Sequence, residues 1–297
     1  MNLKSFIDLI IVIVLLNLSL ENYYGAEGKN NLLVLKEEDM ELDKKLKILN
    51  KPPVRSIQIK LGDIYDCINI YQQPAFDHPL LGNHKIQMKP NVVDKEGKPD
   101  EPISNMGSSE VRSKLERCPP ETVPIRRTTK EELINSKYLS NWMKSRHYVS
   151  VQSFSEKVYY GGKASISIVN PSVDMDKFST AQIWIQNGPT EELNSIEFGW
   201  AVHPQLFSDN QTRIFDLWTA DGFKETGCYN MLCPGFVQIH PEYSFGDYIK
   251  GGTYGEAYQH AYDFSVHRDP ESGNLWLVNG LDNAKIGYWP KEIFNHL

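Results

Sequence analysis

The chain has 297 residues and a formal net charge of −7, and that charge is unevenly divided along its length. Residues 1–150 hold 22 Lys and Arg against 20 Asp and Glu, a net charge of +2, whereas residues 151–297 hold 9 against 18, a net charge of −9. The length fits one or two domains with a sizeable core. The acidic C-terminal half argues against nucleic acid as a partner, and its charge fits either work at low pH or ordinary solubility.

The first 26 residues have the pattern of a secretory signal peptide. Lys4 precedes an apolar run at residues 6–18, and the small residues Gly25 and Ala26 lie near the expected cleavage position. The run is shorter than the roughly 20 apolar residues that span a bilayer, and no later segment reaches that length. We therefore expect an exported protein with no membrane partner once the signal peptide is removed.

Four cysteines agree with export, because disulfides persist in oxidising compartments. Three pairings are open, and the most economical joins the two cysteines of each half, Cys67 with Cys118 and Cys228 with Cys233. Zinc binding is the weaker alternative, since the spacing matches no known zinc pattern. Asn210 opens an Asn-Gln-Thr sequon, which predicts a glycosylation site.

The N-terminal half combines short predicted elements with long loops. A short amphipathic helix is expected within residues 27–50, and short strands at Ser56–Lys60 and Ile64–Tyr71. Residues 131–144 have the composition of a polar linker or a short helix. This region therefore predicts a small mixed module and not a large core.

From His147 onward the sequence predicts an antiparallel β-sandwich. Short alternating runs are separated by turn residues, and no long helical pattern interrupts them. The turn at Asp269–Gly273 predicts a hairpin between the strands on either side of it. The predicted strands are Tyr148–Ser153, Ala164–Val169, Ala181–Gln186, Ser195–Val202, Arg213–Thr219, Gly235–His240, Tyr262–Arg268, Leu275–Asn279 and Lys285–Trp289.

One of these strands carries the sharpest candidate for chemistry. The run NSIEFGWAVHP at residues 194–204 alternates strictly, so that Glu197, Gly199, Ala201 and His203 share the face opposite to the apolar one. A Glu on the polar face of a strand is usually just solvated. Because Glu197 is flanked on its own face by residues with little or no side chain, we expect open space above it. A substrate backbone approaching through that space would make Glu197 a catalytic carboxylate.

Cofactor and metal sites are not expected. The chain has no phosphate-binding glycine loop, no GxSxG elbow and no HExxH helix. His240, His260 and His267 lie on separate predicted elements, so they would have to converge to bind a metal. The core is expected to contain four tryptophans, one of which could instead line a groove: Trp200, Trp218, Trp276 and Trp289.

Several long strings resemble, in the same order, the neprosin family of secreted plant proteins. The strings NSIEFGWAVHP at 194–204, RIFDLWTADGFKETGCYNMLCPGFVQ at 213–238, DPESGNLWL and IGYWPKEIF are similar to its catalytic domain. Two earlier strings, DIYDCINIYQQPAFDHPLLGNHKIQMKP and CPPETVPIRRTTKEEL, are similar to its activation peptide. The resemblance covers roughly residues 40–297. Together with the signal peptide predicted at 1–26, it implies an activation peptide at 27–130, a linker at 131–146 and a catalytic domain at 147–297.

The resemblance also implies a function. Neprosins resemble glutamic peptidases, in which a β-sandwich carries two glutamates across a groove, and active members cleave after proline at acidic pH. Glu197 matches the first glutamate. Of two close carboxyls, one stays protonated and donates a proton, while the ionised one activates water without a metal.

The expected partners follow from the same resemblance. They are a proline-containing peptide or protein substrate and the activation peptide, which would occupy the groove until it is removed near Arg126-Arg127. A monomer is the default expectation for the oligomeric state. The expected location is the apoplast or cell wall, with the vacuole as the alternative.

The sequence departs from the family pattern near its end. The second family glutamate lies in a Trp-Gly-Gly-Glu-like strand beyond the segment matching Tyr288–Glu292, and no such strand occurs before Leu297. We therefore expect the last strands of the sandwich to be missing. The alternative to an active endopeptidase is then an inactive truncated relative or an extracellular β-sandwich binding module. Five other glutamates lie outside that motif: Glu225, Glu242, Glu256, Glu271 and Glu292.

Overall fold

A computed structural model describes residues 36–91, 115–137, 147–153, 157–255, 260–280 and 282–297, so the predicted signal peptide lies outside the described residues. The chain divides into two compact units, residues 1–45 and 46–297. Helix α1 occupies residues 36–49, which confirms the helix expected within residues 27–50. None of the helices in the described ranges is long and apolar enough to cross a membrane.

A small antiparallel sheet begins the second unit. Its strands are β1 (Arg55–Gln58), β2 (Ile64–Asn69) and β3 (Thr122–Arg126), in the order β1-β2-β3. The first two strands confirm predictions, whereas β3 escaped prediction because it contains Pro124. Proline lacks a backbone donor and is tolerated on an edge strand, which is the position of β3.

Helix α2 (Lys130–Ser136) follows this sheet and has a well-defined start. Thr129 accepts a hydrogen bond from the backbone of Glu132, and the Glu132 side chain accepts one from the backbone of Thr129. Such a capping box satisfies two backbone donors that a helix N-terminus otherwise leaves open. The short helix that was one of two expectations for this stretch is therefore present.

The remaining strands form two packed antiparallel sheets, which confirms the predicted all-β sandwich. The five-stranded sheet has the order β4-β10-β11-β12-β9 and the four-stranded sheet the order β5-β6-β7-β8. A short helix, α3 (Pro204–Phe207), joins β6 to β7. The strands are β4 (Gly161–Ser167), β5 (Ser179–Asn187), β6 (Asn194–Val202), β7 (Thr212–Thr219), β8 (Cys228–Tyr229), β9 (Val237–Gln238), β10 (Ala261–Arg268), β11 (Leu275–Asn279) and β12 (Lys285–Trp289).

Two strand predictions need correction. The strand expected at Tyr148–Ser153 is wrong, because residues 147–153 are exposed and pair with no strand in the described part of the chain. Alternation does not produce a strand where no neighbour accepts its hydrogen bonds. The strand expected at Gly235–His240 shortens to the two residues of β9. The hairpin around Asp269 is confirmed, since β10 and β11 pair antiparallel across it.

The core extends beyond the sandwich. The facing sides of the two sheets bury residues such as Phe198 and Phe264, and Ile68 and Val123 of the small sheet belong to the same apolar cluster. The four tryptophans expected in the core are all buried: Trp200, Trp218, Trp276 and Trp289.

The outer face of the five-stranded sheet is covered as well. There Trp276 and Tyr288, both fully buried, pack with Ala75 and partly buried Phe76. The segment around Ala75 and Phe76 is therefore an integral layer of the second unit.

Candidate active site

Glu197 lies in the middle of β6, an inner strand of the four-stranded sheet. In the register of that sheet it stands opposite Trp184 of β5 and Leu217 of β7. Gln182 lies two residues before Trp184 on β5 and therefore shares its face. Its side-chain amide donates to Glu197 Oε2 at 3.4 Å. A side chain of β5 therefore hydrogen-bonds the carboxyl group, while Leu217 flanks Glu197 on β7.

The expectation of open space beside Glu197 is wrong. Glu197 is only 6% exposed, and every residue of β6 is buried. A Cβ atom on Gly199 would lie 2.1 Å from the carbonyl oxygen of Ala181 and 2.7 Å from the Cα atom of Gln182. The small residue is thus required by the close approach of β5 and leaves no room for a ligand.

Aromatic side chains cover the rest of this face. Ala201 is fully buried in a cluster with Leu206, Phe215 and Tyr229, and the His203 ring lies 5.2 Å from the ring of Phe178. The C-terminal half of β6 is therefore closed to substrate. Any approach to Glu197 has to come from the side of β5.

A cleft lies on that side. It has a volume of about 1080 Å³ and is lined by residues 147–153 together with residues 176–184 and 186, including Gln182 and Trp184. Tyr148 packs edge-on against Trp184, with their ring centroids 4.7 Å apart. The exposed segment 147–153 thus forms one wall of a cleft whose other wall carries the two β5 residues next to Glu197.

A second carboxyl group in the same sheet faces the other way. Asp216 of β7 is paired with Phe198, so its side chain points into the sandwich core, where it is fully buried. Neither of its oxygens accepts a well-formed hydrogen bond from the described residues. Burial raises the pKa of Asp216 well above its ordinary value, and the nearby Trp289 indole only moderates this. Asp216 therefore cannot be the partner of Glu197.

Two protein-family models match this chain. The model described as Neprosin matches residues 175–297, and the model described as Neprosin activation peptide matches residues 56–165. The chain belongs to the neprosin family. It has the order of a peptidase-like precursor, in which an activation peptide precedes the neprosin domain.

The activation-peptide match and the sheets divide the chain differently. The match continues to residue 165, yet β4 begins at Gly161 and pairs with β10 over seven positions in the five-stranded sheet. The start of the neprosin sandwich therefore lies within the C-terminal part of the activation-peptide match.

An ion-pair network joins the activation peptide to the neprosin sandwich. Arg213 of β7 is 1% exposed and donates to Asp63 at 2.9 Å and to the carbonyl of Gly246 at 2.8 Å. Asp63 also accepts from Arg126 at 2.8 Å. Burial alone would lower the pKa of Arg213, but Asp209 and Asp63 raise it above its ordinary value.

Two further contacts fasten the activation peptide to the sandwich. The Gln73 side chain accepts from the backbone N–H of Gln238 at 2.8 Å and donates to its carbonyl at 3.0 Å, as a neighbouring strand would. Asp269, in the β10–β11 turn, accepts from Gln87 at 3.0 Å and from the backbone of Asn91. No sequence pattern predicts these contacts, because they join residues that lie far apart along the chain.

The structure forms two disulfides, one in each half. Cys67–Cys118 joins β2 to the segment before β3 and encloses a separation of 51 residues. Cys228–Cys233 joins two cysteines only five positions apart, with Tyr229 between them. The ring of Tyr229 stacks on that of Phe215, with their centroids 5.6 Å apart. These are the two pairs that the sequence analysis named as the most economical pairing. The short one braces the turn beside the covered face of β6.

The other candidate residues are dispersed. Asn210 is exposed in the turn after α3, while the hydroxyl of Thr212 in the same sequon is buried and donates to the carbonyl of Val169. Within the described ranges no group of three or more His, Cys, Asp or Glu residues is arranged to hold a metal ion. Three of the glutamates set aside from the sequence lie at the periphery, where Glu225 is in a turn, Glu242 pairs with Arg117 and Glu292 lies 3.7 Å from His84. Glu256 is outside the described residues.

Proposed function

We propose that this chain is the precursor of a secreted glutamic endopeptidase that cleaves after proline at acidic pH. The observation that carries the proposal is the position of Glu197, fixed in the central part of a sandwich sheet and bordered by the two cleft residues Gln182 and Trp184. Membership of the neprosin family supports the same chemistry. No cofactor enters the proposal.

In the proposed reaction Glu197 acts on water. Its ionised carboxylate accepts a proton as the water oxygen attacks the carbonyl carbon of the proline residue, and the bond from that carbon to the nitrogen of the next residue breaks. The Gln182 amide, which donates to Oε2 at 3.4 Å, helps to orient the carboxyl group. A second, protonated carboxyl group would donate to the leaving nitrogen. Strands β5 to β8 contribute Glu197 and no other acidic side chain to this face.

That last observation favours a second candidate function. A sheet whose strands β5 to β8 place one carboxylate, that of Glu197, on this face fits a non-catalytic neprosin-like module that binds extracellular peptides. In such a protein the cleft beside Trp184 would hold a peptide without cutting it. The two functions differ in one measurable property, which is hydrolysis.

The test uses the full chain and a peptide that contains one proline. The chain is incubated with the peptide between pH 3 and pH 7, both intact and after limited proteolysis that cleaves the activation peptide. The products are identified by mass spectrometry. We expect cleavage after proline that is strongest in acid and is lost in Glu197→Gln. The matched control is Glu225→Gln, an exposed glutamate in the β7–β8 turn, which should retain full activity.

Two outcomes would reject parts of the proposal. Cleavage that persists in Glu197→Gln would remove this residue from the mechanism. A correctly folded, opened chain that binds the peptide without cleaving it at any pH would favour the binding module.

Secretion and glycosylation belong to the same proposal. The apolar N-terminus and the exposed Asn210 support passage through the secretory pathway to the cell exterior or the vacuole. Expression in a eukaryotic secretory host tests both. A glycosidase-sensitive mass that disappears in Asn210→Gln would agree, and retention of the unprocessed chain in the cytosol would contradict it.

A further inference from the structure

The dipeptide Asn-Gly occurs twice in the chain, at Asn187-Gly188 and at Asn279-Gly280. Each pair begins with the last residue of a strand, the first at the end of β5 and the second at the end of β11. In this dipeptide the glycine nitrogen can attack the asparagine side chain, because glycine has no side chain of its own to hinder the approach. The fold decides which of the two pairs can react.

The pair at the end of β5 is open to reaction. Asn187 and Gly188 are both exposed, and no described residue accepts a hydrogen bond from the backbone N–H of Gly188. The Asn187 side chain makes one hydrogen bond, an exposed one of 2.7 Å to the carbonyl of His296. Only the last residue of a strand therefore has to loosen before the glycine nitrogen can reach the side-chain amide.

The turn itself requires the glycine of this reactive pair. Gly188 has a φ of +102°, and a Cβ atom there would lie 2.7 Å from the ring of His296 and 3.0 Å from the carbonyl oxygen of Glu192. A residue with a side chain would be strained in this conformation and would also displace the ring. The geometry of the β5–β6 turn thus places a glycine directly after an exposed asparagine.

The pair at the end of β11 is closed. Asn279 is 1% exposed, and its side-chain amide donates to the hydroxyl of Tyr243 at 2.6 Å. The backbone N–H of Gly280 donates to the carbonyl of Asp263 at 2.8 Å. Attack here would break both hydrogen bonds inside the protein, where water cannot replace them. The same dipeptide therefore stands in two opposite environments.

We propose that Asn187 is a site of spontaneous deamidation and that the fold protects Asn279 from the same reaction. The Gly188 nitrogen forms a bond to the Asn187 side-chain carbonyl carbon, and the side-chain nitrogen leaves as ammonia. Water then opens the five-membered imide at either of its two carbonyls. One opening gives aspartate, and the other gives isoaspartate, in which the main chain runs through the side-chain carbon. The modification does not depend on the proposed peptidase function.

The modified residue lies in a polar cluster that ties residues 295 and 296 to the β5–β6 turn. Asn187 donates to the carbonyl of His296, while the side chain of buried Asn194 accepts from the backbone N–H groups of Asn295 and His296 at 2.8 and 2.6 Å. Deamidation replaces the donor on residue 187 by a carboxylate, which the carbonyl of His296 repels. Isoaspartate also adds one carbon to the backbone of β5 next to Gln186, which lines the cleft. Both products therefore weaken the attachment of residues 295 and 296.

Incubation of the full, oxidised chain at pH 8 tests the site, because the attack requires a deprotonated glycine nitrogen. Peptide mapping by mass spectrometry follows Asn187 and Asn279 in the same sample, so that one serves as the control for the other. We expect aspartate and isoaspartate at position 187, and conversion at position 279 that is slower by about tenfold or more. In urea the two rates should become similar, since unfolding removes the protection of Asn279. Equal rates in the folded protein, or faster conversion of Asn279, would overturn the assignment.

Two variants test the consequence. Asn187→Asp carries one of the products from the start, and hydrogen exchange at the amides of Asn295 and His296 should be faster in it than in fresh wild type. Wild type aged at pH 8 should show the same change, whereas aged Asn187→Gln should gain no modification at position 187, because glutamine would have to close a larger ring. Unchanged exchange in both Asn187→Asp and aged wild type would refute the structural effect.

Discussion

The guanidinium of Arg213 in the sandwich donates to the carboxylate of Asp63 in the activation peptide at 2.9 Å. Both side chains are buried, with exposures of 1% and 7%. Removing one partner of such a pair leaves a charge that water cannot reach, which is strongly destabilising. The stability of the precursor therefore depends on an interaction between its two domains.

Asp63→Asn should lower the free energy of unfolding by about 3 kcal/mol, because Arg213 and Arg126 would lose their shared carboxylate. Urea denaturation of the full chain measures this change. The control is Asp77→Asn, since Asp77 forms a more exposed pair with Lys51, and its loss should cost less than about 1 kcal/mol. If both variants lowered the free energy of unfolding equally, the buried pair would stabilise the protein no more than the exposed one.

Because of the buried carboxyl group of Asp216, we expect the free energy of unfolding to fall as the pH rises. Because burial raises its pKa, the folded protein keeps the proton at pH values where the unfolded chain, with a pKa near 3.9, has lost it. Its contribution is fully present below about pH 4 and declines toward neutral pH. Asp216→Asn should therefore be more stable than the wild type at pH 7 by about 1 kcal/mol or more, with little difference at pH 3.

Thermal unfolding at pH 3, 5 and 7 checks the effect of Asp216→Asn. Asp174→Asn serves as the control, because Asp174 is exposed and pairs only with Lys177 nearby. The control should follow the wild type closely at pH 5 and pH 7. A wild-type protein whose stability rises steadily from pH 4 to pH 7, unchanged in slope by Asp216→Asn, would contradict the prediction.

Gly199→Ala should prevent folding or destabilise the protein by about 3 kcal/mol or more, since its Cβ atom would lie 2.1 Å from backbone that cannot move independently of the sheet. The matched control is Gly82→Ala, where nothing lies within 4 Å of the added atom and φ is −57°. The yield of soluble protein and the denaturant midpoint compare the two. A well-folded Gly199→Ala protein would mean that β5 and β6 can separate.

The two disulfides should differ in their contribution to stability. In the chain-entropy treatment, a separation of 51 residues corresponds to about 4 kcal/mol and one of five residues to about 2 kcal/mol. Replacing each pair by alanines and measuring unfolding in urea tests the order. The Cys228–Cys233 variant should also lose order around Tyr229. A larger loss from the short loop would show that packing outweighs chain entropy there.

The sequence predicted the sandwich well where strands alternate and end in turns. Strands β6, β7, β10, β11 and β12 were placed within one residue at each end, because in most of them alternate residues face the sandwich core and impose a period of two on the sequence. Strands β3 and β8 were missed, since one contains a proline and the other has only two residues.

The site was harder to predict because it depends on contacts between distant segments. Alternation placed Glu197 and Gly199 on one face correctly, but it could not reveal what lies against that face. The backbone of β5 occupies the space beside Gly199, and residues 147–153 wall the neighbouring cleft. A small residue in a strand thus has two meanings, close backbone approach or ligand space, and only the packed structure distinguishes them.

The burial of Trp276 and Tyr288 beneath the activation peptide also bears on how the chain folds during synthesis. The ribosome releases β1 to β3 and the segment around Ala75 well before β11 and β12. When the two aromatic side chains emerge, the surface that will cover them already exists. The activation peptide is thereby expected to act as a template for the last strands, and a sandwich synthesised without it would expose a broad aromatic surface and aggregate.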